Sequence, residues 1–187
     1  MYDLCRKAWF NLGPACPNVG GVTVPGIAIH GGMYLARQES NACLHTHTEN
    51  GTAVSMLKCG LLPVSITSMR FYKRVGYYDF KGPGENRDER GAMAAALGPH
   101  YALIMRNHGL LTVGRTIGAS MIVMMNLEPE IASQLKAMST GAKVIIPDET
   151  LLEKTANRRD QMNEQNNGLN WQTLFRLADR IDPSFRE

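Results

Sequence analysis

Hydrophobic and polar positions change their period along the chain, and each change predicts an element. ACLHTH, residues 42–47, reads as a β-strand, where side chains alternate faces and Cys43, His45 and His47 share one of them. A helix is expected from about Glu49 to Cys59, stopped by Gly60, and Leu61 to Ile66 reads as a short strand. YALIMRN is a continuous apolar strand closed by His108 and Gly109, and LLTVG begins another. Thr116 starts a long helix to about Met138. Met121, Met124, Glu128, Ile131 and Leu135 recur on it at the three-to-four spacing of one face, and Pro129 is expected to kink it or end it early.

The remaining segments are less regular. PGIAIHGGMYLAR, from Pro25, predicts a helix with proline in its first turn, weakened at Gly31 and Gly32 by about 1 kcal/mol each. Residues 67–87 are mixed, with alternating aromatics and a Gly-Pro-Gly turn at 82–84. Asp88 is expected to cap a helix that ends at Leu97 before Gly98-Pro99. After Gly141 the pattern predicts a short strand and loop (AKVIIPDE), a polar helix, a break at Asn166-Asn167-Gly168, and a last amphipathic helix, WQTLFRLADRI. Helices alternate with strands, so the fold class is α/β.

Composition narrows the function classes. At 187 residues the chain is long enough for one domain with a sizeable core. The 44% hydrophobic and 20% charged fractions are those of a globular protein. A net charge of +3 is well short of a nucleic-acid-binding surface. Arg70, Lys73 and Arg74 are interleaved with Phe71 and Tyr72 and read as solvated surface. No apolar run reaches the roughly 18–20 residues of a membrane span, so no membrane insertion is expected. The N-terminus lacks the pattern of a secretory signal. Cys5, Cys16, Cys43 and Cys59 form no CxxC and read as reduced cytoplasmic thiols.

The chemistry concentrates on histidine. His45 and His47 on one strand face stand on the order of 6–7 Å apart at the backbone, close enough to reach one ion. Among the other histidines, His30 is mid-helix and His100 sits in a turn. His108 closes an apolar strand beside Arg106, Asn107 and Gly109, a polar cluster typical of sites. Three neutral imidazoles would leave a bound zinc its full charge and an open fourth position. On spacing alone, a metal site and ordinary strand histidines both remain open. Cys43 reads as a small buried thiol. Glu128 interrupts an apolar stripe and needs a partner: the second N–H of a ligating imidazole, an arginine, or solvent.

The stretches NACLHTHTENGTAVSMLKCGLLPVS and MRNHGLLTVGRTIGAS resemble the class II aldolase/adducin family. The similarity runs from about Ile27 to Lys136, with weaker likeness in ADRIDPSFRE. It implies a three-layer α/β/α domain with a central, mainly antiparallel sheet. It divides the chain into a truncated or replaced N-terminal segment (1–24), the family-like core (25–140), and a C-terminal loop and helices (141–187). It implies Zn2+ held by His45, His47 and His108, with Fe2+ as the alternative. It further implies a homo-oligomer and a small hydroxy-carbonyl or sugar-phosphate substrate. The expected activity is carbon–carbon bond cleavage or epimerisation through a metal-stabilised enediolate. A non-catalytic adducin-like assembly module and an Fe(II) oxygenase or decarboxylase are the alternatives.

Two departures weigh against full aldolase activity. The family's sugar-phosphate aldolases carry an acidic base in the helix before the HxH strand, a position that falls at about Gly26 here. CPNVGGVTV lacks their phosphate-binding pattern. Glu49, Tyr72, Tyr77 or a metal-bound hydroxide would then have to move the proton, and the hydroxide is the preferred reading. No catalytic side chain is assigned.

Overall fold

The structure is a computed structural model that describes residues 24–37, 39–82 and 89–186. Its elements run α1 (Val24–Ala36), β1 (Ala42–Thr46), α2 (Glu49–Ser55), a 3-10 turn (Ser68–Phe71), β2 (Val75–Tyr78), α3 (Glu89–Leu97), β3 (Ala102–Met105), β4 (Gly109–Gly114), α4 (Ile117–Ser139), α5 (Glu149–Ile181) and a last 3-10 turn (Pro183–Arg186). The strands form one sheet in the order β1-β4-β3-β2. β4 is antiparallel to both β1 and β3, and β2 is parallel to β3, so the sheet is mainly antiparallel.

The two faces of the sheet carry separate cores, which follows from strand alternation. Leu103, Met105, Leu111 and Val113 pack against Ile29 and Met33 of α1 and Met93 and Leu97 of α3. The intervening residues Ala102, Ile104 and Leu110 pack against Val54 of α2 and Met124, Leu127 and Ile131 of α4. Helices therefore cover both faces of a fully buried β3–β4 pair, giving three layers. Thr112 is the polar exception on the α4 face. Its hydroxyl donates to the Ser120 carbonyl at 3.0 Å, and the Ser120 hydroxyl donates to the Thr112 carbonyl at 3.0 Å, so both are satisfied and tie β4 to the start of α4.

Several sequence expectations need correction. Leu61–Ile66 forms no strand: α4 holds this segment with side chains instead. Buried Gln134 accepts from the Leu62 N–H at 2.7 Å and donates to the Gly60 carbonyl at 2.8 Å, while Glu130, one turn earlier, meets the Ser65 hydroxyl. The aromatic segment at 67–87 instead supplies a strand, β2. α4 runs unbroken through Pro129. Pro129 is exposed and Met125, a turn before it, is 41% exposed, so the carbonyl that loses its N–H partner lies toward water. AKVIIPDE pairs with no strand, and Ile145 is 85% exposed there. α5 continues through Asn166-Asn167-Gly168 as one helix of 33 residues. Asp88, the expected cap of α3, lies outside the described residues.

Gln134 offers a direct test of this architecture. Gln134→Leu fills the same space but strands the Leu62 N–H and the Gly60 carbonyl, and is expected to cost about 1–3 kcal/mol. The reading is a lower urea midpoint at unchanged m-value.

Candidate metal centre

Four strand ends meet at one end of the sheet: β1, β3 and β2 finish there and β4 begins there. His45 lies within β1 opposite Leu111, on the face covered by α1 and α3. His47 follows one residue after β1 ends, and His108 immediately precedes β4. Their three rings converge, with centroids 4.6–4.8 Å apart. The Nε2 atom of His45 is 2.8 Å from that of His47 and 3.2 Å from that of His108.

The backbone sets the tautomer of the central ring. His45 Nδ1 is 2.8 Å from the Leu110 carbonyl oxygen. A carbonyl can only accept, so Nδ1 carries the proton and Nε2 offers its lone pair to the cluster. A metal-ligating histidine commonly makes this contact. Around a tetrahedral zinc, ligand nitrogens stand about 3.3 Å apart, close to the spacings seen here. The set of His45, His47 and His108 could hold a metal ion, and the donor chemistry fits zinc.

Electrostatics disfavours the charged form of two of these rings. Burial pushes His45 down to about 4, the Leu110 hydrogen bond opposes this, and the neighbouring His108, His47 and His30 push further down. His108 is also lowered, first by burial and then by His47. At neutral pH, metal binding has no proton to displace from either ring. Protonation is disfavoured in the folded state, so stability is lost as pH falls from about 6.5 toward about 4, where the unfolded chain takes up the proton first. Metal-free protein is therefore expected to have a lower urea midpoint at pH 5 than at pH 7.5. The difference should shrink in His45→Asn; an equal drop in that variant would contradict this assignment.

The turn carrying His108 is anchored by α2, a connection with no distinctive signal in the sequence. The Asn107 N–H donates to the Ser55 carbonyl at 3.2 Å, the His108 N–H reaches the Ser55 hydroxyl at 3.2 Å, and Thr52 Oγ1 is 3.5 Å from the His108 carbonyl. Asn107 adopts φ +56°, a left-handed conformation that asparagine tolerates better than most residues. Ser55 is buried, so it serves the turn and not solvent.

The other residues singled out from the sequence lie elsewhere. Cys43 packs toward the α1/α3 core, and burial pushes its thiol up to about 12. His30 and His100 do not join the cluster, although His30 acts electrostatically on His45. Tyr72 donates to Glu149 at 3.2 Å. The Tyr77 hydroxyl accepts the Leu61 N–H at 3.1 Å, beneath the Arg106 guanidinium. Glu49 is exposed at the start of α2, and Gly26 lies in the first turn of α1. Glu128 meets the Thr48 hydroxyl, not an imidazole.

A three-layer α/β/α domain with three imidazoles converging at the sheet end defines an aldolase-like class of protein. Residues 17–135 match the family model described as "Class II Aldolase and Adducin N-terminal domain", and the chain belongs to that family. A Caulobacter vibrioides relative named "Putative aldolase class 2 protein" is 32% identical over 163 residues, covering 87% of this chain and 63% of its own. The chain thus spans less than two thirds of that relative. An aldolase II superfamily protein from Pseudomonas syringae superposes with a TM-score of 0.85 at 32% identity, covering 91% of this chain and 69% of that one. An L-fuculose 1-phosphate aldolase from Glaciozyma antarctica PI12 superposes with a TM-score of 0.71 at 29% identity, covering 90% of this chain and 65% of that one. Among the described residues no helix is long and apolar enough to cross a membrane.

Proposed function

We propose that this chain is a metal-dependent carbon–carbon lyase of the class II aldolase type, or an epimerase of the same chemistry. Its substrate is a small hydroxy-carbonyl or sugar-phosphate compound. The convergence of His45, His47 and His108 carries this reading, and the similarity to an L-fuculose 1-phosphate aldolase supports the substrate class. The proposed ion is zinc, with Fe(II) as the alternative. When bound, it would supply Lewis-acid polarisation of a carbonyl. His45, His47 and His108 would hold it, Leu110 and Ser55 orient the ligands, and three neutral imidazoles leave a fourth position for substrate.

Proton transfer is the weak point of this site. Gly26 has no side chain to move a proton, and Tyr72 and Tyr77 are engaged with Glu149 and Leu61. General acid–base assistance is typically worth about 10²–10⁴-fold. Slow retro-aldol turnover of ketose phosphates is therefore expected from zinc-loaded protein, and Gly26→Glu is expected to raise it. The deciding experiment combines elemental analysis with cleavage assays on ketose phosphates and hydroxy acids. A protein that binds no metal and turns over none of these would favour the adducin-like assembly module. Stoichiometric iron with oxygen-dependent turnover would favour the oxygenase.

The same proposal includes a homo-oligomer. Trp171 of α5 is covered by its own chain, packed where any side chain at Gly118 would stand. Phe175, Leu177 and Ile181, further along α5, remain 37%, 45% and 77% exposed. A second copy would remove this apolar face from water. Light scattering at micromolar concentration is expected to give a mass above that of one chain, and a monodisperse monomer would count against it.

A further inference from the structure

The residues flanking His47 are both held from the opposite face of the sheet. Thr46 and Thr48 alternate with His45 and His47, so they turn toward α4 while the histidines turn toward α1 and α3. The Thr46 hydroxyl donates to Met124 Sδ at 3.7 Å, and the Thr48 hydroxyl donates to Glu128 Oε1. The spacings match: four residues of helix rise about 6 Å, and two residues of extended strand rise about 6.8 Å. One turn of α4 therefore spans the Thr46-His47-Thr48 segment.

Glu128 is an odd residue for its place. Met124, Leu127 and Ile131 around it on α4 are buried in the core, and an apolar side chain at 128 would extend that stripe. Its half-buried carboxylate faces Thr48, whose oxygen also accepts the Gly51 N–H at 3.1 Å as the N-cap of α2. The hydroxyl's only proton goes to Glu128, and its lone pair goes to the cap. The bond to Glu128 is charge-assisted, stronger than a neutral one. α4 thereby fixes the backbone immediately after His47 at the point where β1 has ended and ladder bonds no longer hold it.

We propose that Glu128 is a positioning residue for the metal centre, acting through the Thr48 hydroxyl to hold His47 in line with His45 and His108. The inference rests on the metal reading of the three histidines and adds a fourth residue, from the far face of the sheet, to it. It requires of residue 128 an acceptor atom at the carboxylate position; a charge strengthens the bond but is not essential.

The test uses cobalt(II) in the full chain, read by visible absorption and by competition with a chelator. Glu128→Ala is expected to weaken cobalt binding by up to about 10-fold, the low end of the cost of losing a group bonded directly to a ligand, since Glu128 acts one residue removed, and to change the visible spectrum. Glu128→Gln keeps an acceptor oxygen and should stay within a few-fold of the parent. Thr48→Ala should lose at least as much, since it also removes the cap of α2. If Glu128→Ala does not fold, the deciding contrast is Glu128→Leu, which fills the space without an acceptor, against Glu128→Gln. A purely structural role would lower the melting temperature of metal-free protein and leave cobalt affinity and spectrum unchanged, which would overturn the proposal. If the parent itself binds no cobalt, the metal reading and this inference fall together. If the parent binds and the alanine variants match it, only this inference falls.

Discussion

Alanine at His45, His47 or His108 is expected to abolish stoichiometric zinc in protein that still folds. All three meet through Nε2, and no Asp, Glu or Cys among the described residues joins the set, so the loss of one imidazole leaves two ligands. Two imidazoles without a third do not make the three-ligand site of a catalytic zinc. The loss should appear in elemental analysis as near-zero metal, and in thermal melts as an absent zinc response. A ligand at 100 times its dissociation constant stabilises by about 2.7 kcal/mol, so the response in the parent is large enough to see. Cys43→Ala is the internal control. Its thiol is partly buried against the core and protonated at neutral pH, and the variant should keep its zinc. Zinc retained at parental stoichiometry in His108→Ala would remove the basis of the proposed function.

The histidine pair was legible because strand alternation is a local property: two residues of period two need only the strand to exist. His108 was legible for a related reason, since an apolar run that ends in Arg106-Asn107-His108-Gly109 marks where a buried strand reaches the surface. What escaped was non-local. Ser55 and Thr52 look like ordinary helix polar residues, and only the packing of α2 against the β3–β4 turn gives them a role. Leu110 acts through its carbonyl, which carries no side-chain signal at all. Glu128 was recognisable as a misplaced acid, but its partner was not, because Thr48 is 80 positions away on another element.

The α/β class and the mainly antiparallel sheet were legible, but two short elements were misassigned for similar reasons. Leu61–Ile66 and Val75–Tyr78 are both short apolar runs. Only the second finds a ladder partner, pairing Val75 with Ala102 through Tyr78 with Met105. The first has its backbone taken by Gln134 and the Tyr77 hydroxyl. Strand propensity reports fitness for a pleated, half-buried surface and says nothing of whether a neighbour is present.

Gly109→Ala is expected to be among the most damaging small substitutions in the chain. Gly109 opens β4 opposite Met105 and stands directly after His108. A methyl group there would lie 2.3 Å from the Thr46 carbonyl oxygen and 3.1 Å from Cδ2 of the His47 ring. The first of these neighbours is backbone of the adjacent strand, whose next pairing is Thr46 with Leu110, so it cannot swing aside as a side chain would. β1 must move away from β4 at the residue that precedes His47. Overpacking of a well-ordered core usually costs about 1–3 kcal/mol and occasionally more, and a clash with strand backbone belongs at or above the top of that range. The displacement also falls beside His47 and His108, so on the proposed metal reading zinc affinity should drop as well in whatever fraction folds. Urea denaturation and zinc competition, measured on the same preparation, separate the two effects. Gly91→Ala makes the contrast. Gly91 is exposed in the first turn of α3 with nothing near the added methyl group, and alanine there should be neutral or stabilise by at most about 1 kcal/mol through helix propensity alone. If Gly109→Ala kept parental stability and zinc affinity, the close approach of β4 to Thr46 and His47 would not be a feature of the folded protein, and the ligand geometry built on it would have to be redrawn.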